Sequence, residues 1–140
     1  MNRFAFASII FAAAALPGMP ALAQEPNCAD PQTQADMTIC AGKDYQKADA
    51  ELNEVWAEAM AGAKENDLLG GADDGRPAYE EALRSAQRAW IGFRDAHCAY
   101  AGYAARGGSM EPMLVNQCLA RLTEERTMQL RQLIQEMGTQ

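Results

Sequence analysis

The chain has 140 residues, 49% of them hydrophobic, with 12 Lys+Arg against 19 Asp+Glu, a formal charge of −7 and four cysteines. That length holds one modest domain and excludes a multidomain enzyme. The acidic balance excludes a protein built to grip nucleic-acid phosphates or anionic lipid, since both demand clustered Lys and Arg, and it favours a basic partner.

The first predicted element is a leader. Arg3 supplies a short positive start, residues 4–16 form an apolar stretch, and Pro17 with Gly18 ends it. Ala21 and Ala23 set small residues where signal peptidase reads, so cleavage is expected after Ala23, with Gln24 first in the mature chain. The apolar stretch is too short to cross a bilayer. Cys28 stands behind Gln24, Glu25, Pro26 and Asn27 instead of directly after that stretch, so no lipid anchor is expected either. Removing the leader takes away Arg3 and makes the balance one unit more negative. The expectation is a periplasmic or secreted protein whose residues 24–140 form one domain.

Export places Cys28, Cys40, Cys98 and Cys118 in an oxidising compartment, where an even count in a small domain signals two disulfides. Three pairings are possible. The sequence-local one, Cys28 with Cys40 and Cys98 with Cys118, is favoured, and pairings that join the two ends stay open. No Cys-x-x-Cys occurs, which argues against a thioredoxin-like site or a zinc ribbon.

Three amphipathic helices follow. The first is expected from Pro31, behind Asp30 as its cap, with Met37, Cys40, Ala41, Tyr45, Ala48, Leu52, Val55, Trp56 and Ala59 at steps of three and four, ending between Gly62 and Glu65. Residues 66–75, with Gly70, Gly71, Asp73, Asp74 and Gly75, read as a linker. The second helix is expected from Arg76 or Pro77, with Tyr79, Leu83, Ala86, Trp90, Phe93 and His97 on its buried face. Gly102 blurs its end and residues 102–112 form a loop. The third helix carries Leu114, Val115, Cys118, Leu119, Leu122, Arg126, Leu130, Leu133 and Met137. The predicted fold is all-α, a small antiparallel three-helix arrangement stapled by two disulfides, which compensate for a limited core.

Catalytic chemistry finds little material. There is one histidine, no Gly-x-Ser-x-Gly elbow, and each cysteine is expected to be oxidised, so a hydrolase triad is not supported. His97 beside Cys98 lacks the recurring ligand spacing of a metal site, and the paired glycines lack the spacing of a phosphate loop. No metal, cofactor or catalytic residue is assigned. Asp49, one turn from Asn53, and Arg126, between Leu122 and Leu130, interrupt apolar stripes. They are expected to face each other in an interhelical salt bridge or capping network that sets helix register. Arg94 and Asp95 after Trp90 read the same way.

Taken in order, Cys28, Cys40, Asp49 with Leu52 and Asn53, the Ala-Gln-Arg-Ala-Trp run ending at Trp90, Arg94 and Asp95 before Cys98, Gly107-Gly108-Ser109, Cys118 with Leu119, and Leu122, Thr123 and Arg126 form a pattern. It resembles the lysozyme-inhibitor LprI family, in particular its small four-cysteine domain, over residues 28–133. The resemblance implies an exported helical domain with two disulfides and an activity of binding and inhibiting c-type lysozyme. Trp56 stands where the family often has Tyr. No lipid-attachment cysteine such as some relatives carry is present.

A c-type lysozyme is a basic partner that an acidic domain would be steered toward, increasingly so at low salt. Its cleft works with acidic groups, so a blocking loop would present a cation or hydrogen-bond donors. Tyr103, Arg106, Gly107, Gly108 and Ser109, in the loop closed by a Cys98–Cys118 bridge, are the residues assigned that role. A non-enzymatic adaptor of the cell envelope fits the same fold. Failure to protect a peptidoglycan substrate would distinguish it.

Overall fold

The computed structural model describes residues 25–70 and 74–138. The predicted leader and its cleavage point after Ala23 lie outside them, as do residues 71–73 of the linker. Three helices, α1 (Gln34–Leu68), α2 (Tyr79–Gly102) and α3 (Glu111–Gly138), carry the fold, with a 3-10 turn at Tyr103–Ala105. No strand occurs among the described residues. The fold is all-α. Successive helices run antiparallel, so α1 and α3 run the same way: Gln34 Nε2 meets Met113 Sδ near their starts, and Arg131 donates to Glu51 further along. Cys28 bonds to Cys40 and Cys98 to Cys118, the sequence-local pairing, and the start of α1, the end of α2 and the start of α3 share one end of the bundle.

The helix boundaries follow capping chemistry. Helix α1 begins at Gln34, not Pro31, because Thr33 and Asp36 cap reciprocally: the Asp36 N–H donates to Thr33 Oγ1 at 3.0 Å and the Thr33 N–H to Asp36 Oδ2 at 3.2 Å. Asp30, the expected cap, instead lies in the turn before it, its N–H donating to the Asn27 carbonyl. At the other end α1 runs past Glu65 to Leu68, and Gly70 at φ +87° stops it. Helix α2 starts at Tyr79, later than expected, and Ala78 offers no side-chain cap. The Asp67 carboxylate of α1 takes that role, accepting from the N–H groups of Tyr79 at 2.7 Å and Glu80 at 3.1 Å. Arg76 pairs with Asp74 in the preceding turn.

Leu52, Val55, Ala59 and Leu130 form the main core, with Trp56, Leu83, Trp90 and Ile134 packed on it. Leu130 is fully buried, which by area contributes about 1.5–3 kcal/mol. A smaller cluster of Cys98, Cys118 and Leu122 sits at the stapled end with Ala101 and Leu119.

The buried face of α2 differs from the expected one. Gln87, Arg94, Cys98 and Gly102 are buried and Leu83 and Trp90 half-buried, whereas Phe93 and His97 are exposed, as are Tyr79 and Ala86. Two contacts turn the helix this way. The Cys98–Cys118 bond pins Cys98 toward α3, and polar partners on α1 and α3 make burial of Arg94 and Gln87 tolerable.

Candidate functional site

The polar residues of the sequence motif converge on Trp90. The Arg94 guanidinium carbon lies 5.0 Å from the Trp90 ring centre and 5.5 Å from that of Tyr45, and the Arg126 guanidinium lies 5.9 Å from Trp90. Arg94 is 7% exposed. Its Nε donates to Asp95 Oδ1 at 2.9 Å and its Nη1 to Thr123 Oγ1 at 3.4 Å, and Nη1 stands 3.6 Å from Asp49 Oδ1. Asn53 donates to Asp49 Oδ2. Stacked guanidinium and indole surfaces suit partial burial, because a flat, weakly hydrated cation loses little water there and gains the ring's quadrupole.

The expected Asp49–Arg126 pair does not form. Arg126 Nε donates to Gln87 Oε1 at 2.9 Å and Nη1 to Gln129 Oε1 at 3.2 Å, while Asp49 faces Arg94. Arg126, lying between Leu122 and Leu130 on α3, is met by α2 instead of α1, so its neighbour is an amide and not a carboxylate. Burial without a counter-charge holds the Arg126 guanidinium below its ordinary value. Burial likewise raises the Tyr45 phenol above its ordinary value, with Arg94 acting in the opposite direction. Among the described residues every buried side-chain nitrogen and oxygen has a hydrogen-bond partner. The node ties α1, α2 and α3 together through these contacts. Tyr45, Gln87 and Thr123 join it without having been singled out. Gln87 and Thr123 lie beside Trp90 and Leu122 in the family pattern, and Tyr45 stands one helical turn before Asp49.

The second constellation is the connection from α2 to α3. The 3-10 turn consumes Tyr103–Ala105, leaving Arg106, Gly107, Gly108, Ser109 and Met110 exposed as tight turns. The Gly107 N–H donates to Glu111 Oε2 at 2.7 Å, and the Gly108 N–H to the Ala105 carbonyl at 2.8 Å. Gly107 adopts φ +76°, where an L side chain is strained. At Gly102 a Cβ would come 2.5 Å from Val115 Cγ2, so glycine lets α2 end against α3. The Arg106 guanidinium lies 4.5 Å over the Tyr103 ring. That stacking uses its flat face. Among the described residues its N–H edge makes no hydrogen bond or ion pair, so five donors stand in solvent on a loop closed by the Cys98–Cys118 bond.

At the opposite end Ala59, Gly62, Leu83, Leu133, Ile134 and Met137 help line an apolar cleft of about 760 Å³, with Glu58 and Glu65 also on its wall. No group of three or more His, Cys, Asp or Glu residues that could hold a metal ion occurs among the described residues. No described helix is long and apolar enough to cross a membrane.

Fold and sites together define a disulfide-stapled three-helix domain with a polar node around Trp90 and an exposed, constrained loop. The sequence model of the family described as "Lysozyme inhibitor LprI" matches residues 26–130, and the chain belongs to that family. It is 50% identical over 119 residues to a protein of Rhizobium meliloti (strain 1021) named "Uncharacterized protein R02472", covering 83% of this chain and 86% of that one. No solved structure matches the chain.

Proposed function

We propose that the protein is exported, loses its leader after Ala23, and acts in the periplasm or outside the cell as a non-enzymatic inhibitor of c-type lysozyme, docking through Tyr103, Arg106, Gly107, Gly108 and Ser109. Family membership supports the activity. Two disulfides and no free cysteine fit an oxidising compartment.

The observation that carries the loop assignment is Arg106. Its side chain is held over Tyr103 while its donors remain unspent, and the backbone beneath is fixed by the Gly107 and Gly108 hydrogen bonds. A preorganised cation loses little freedom on docking, and a guanidinium fork matches the carboxylates of a muramidase cleft. The acidic remainder of the chain steers a basic enzyme during approach, and the cation on the loop makes the contact.

The test is a titration of the oxidised protein into a lysozyme turnover assay at low and physiological salt, with a non-lysozyme muramidase as control. Dose-dependent inhibition that persists at physiological salt and falls at least about tenfold in Arg106→Glu is the expected result. Inhibition untouched by Arg106→Glu removes the loop assignment. No inhibition at all leaves the envelope-adaptor reading.

A further inference from the structure

Helix α2 and the first residue of the 3-10 turn after it carry a second apolar face that the bundle leaves exposed. Ala86, Ala89, Phe93, Ala96, Tyr100 and Tyr103 follow one another at steps of three, four, three, four and three, and all six are exposed, Phe93 at 56% and Tyr100 at 74%. This is the spacing of a coiled-coil seam, and its natural occupant is another helix. The seam is separate from the core-facing row of Gln87, Arg94 and Cys98. Ser85, Gly92 and Ala99, the residues preceding Ala86, Phe93 and Tyr100, are small enough to admit a close backbone. Neither the seam nor these flanking positions carries a charge.

We propose that the occupant is a second copy of this chain, packed antiparallel along the seam. Pairing centred between Arg94 and Asp95 sets Ala86 against Tyr103, Ala89 against Tyr100 and Phe93 against Ala96 of the second copy, and the reverse in the other half. Each layer then joins one alanine to one aromatic ring, the large-to-small complementarity that dense packing requires. Parallel pairing would stack ring on ring and alanine on alanine, overfilling some layers and emptying others. The antiparallel contact is isologous and therefore closes at a dimer.

Charge supports the same occupant. Helix α2 balances Glu80, Glu81 and Asp95 with Arg84, Arg88 and Arg94, so the acidic surplus of a chain with net charge −7 lies elsewhere. Two copies meeting here bring together the helix with least mutual repulsion. The seam is about 26 Å long at the helical rise. A single helix face of that length covers less than the roughly 800 Å² per partner of a standard interface, so a weak, concentration-dependent dimer is expected.

Sedimentation equilibrium of the oxidised protein from about 1 μM to 1 mM tests this independently of any lysozyme assay. The mass is expected to rise to twice the monomer value, and Phe93→Glu to weaken association at least tenfold with an unchanged helical circular dichroism spectrum. Ala89→Lys and Tyr100→Glu should each weaken it likewise. The double variant should recover dimerisation, because antiparallel register sets the new lysine opposite the new glutamate of the other copy. A monomer throughout the range, or a dimer that Phe93→Glu leaves intact, overturns the proposal. A double variant no tighter than either single one overturns the antiparallel register.

Discussion

The two ends of the bundle are built differently. At one end both disulfides close, the Thr33 and Asp36 capping box sets α1, and the exposed turn of Arg106 and Gly107 rests on Glu111 and Ala105. At the other, Asp67 reaches from α1 to cap α2, and the helices part around an apolar cleft. Both disulfides lie at the end with the smaller apolar cluster, while the main core reaches toward the cleft. The staples there offset the limited apolar burial of that end. Their placement makes sense if that end must hold a shape, because a rigid loop gives up less entropy on binding.

Substitutions at each end separate stability from loop shape. The largest expected effect is in the shared core: Leu130→Ala empties a fully buried site and should lower unfolding free energy by about 2–5 kcal/mol in denaturant titration. Changing Cys98 and Cys118 together to Ser should cost about 2–4 kcal/mol and speed hydrogen exchange across residues 103–110 more than across the cleft. Equal acceleration at both ends would erase the contrast. At the open end, Asp67→Ala uncaps α2 and should cost about 1 kcal/mol, with exchange at Tyr79 and Glu80 rising first.

Gly107→Ala should cost about 1 kcal/mol through its left-handed backbone and also weaken any lysozyme inhibition. Loss of stability with inhibition unchanged would separate the loop's shape from its function. The smallest effect concerns pH. Because Tyr45 binds its proton more tightly folded than unfolded, its contribution is complete below the ordinary tyrosine value of about 10 and lost as pH climbs past it. Tyr45→Phe should therefore flatten the alkaline fall in stability measured by thermal denaturation above that pH.

The sequence of this protein by itself determined the three helices and the family, and it favoured the disulfide pairing that the structure shows. Steps of three and four along α1 mark its buried face from Cys40 to Ala59, since helical period alone decides which side is apolar. The short spacings from Cys28 to Cys40 and from Cys98 to Cys118 favour local closure. Periodicity failed on α2, where it put Phe93 and His97 inside and the structure puts Gln87 and Arg94 there. The rule counts apolar side chains and has no knowledge of a partner. Only packing brought Asp49, Tyr45 and Thr123 around Arg94, made two charged and amide side chains cheaper to bury than an aromatic row, and gave Arg126 to Gln87 instead of Asp49. The capping of α2 by Asp67, twelve residues upstream, was also a tertiary decision, because the end of one helix had to be delivered to the start of the next before that carboxylate could act.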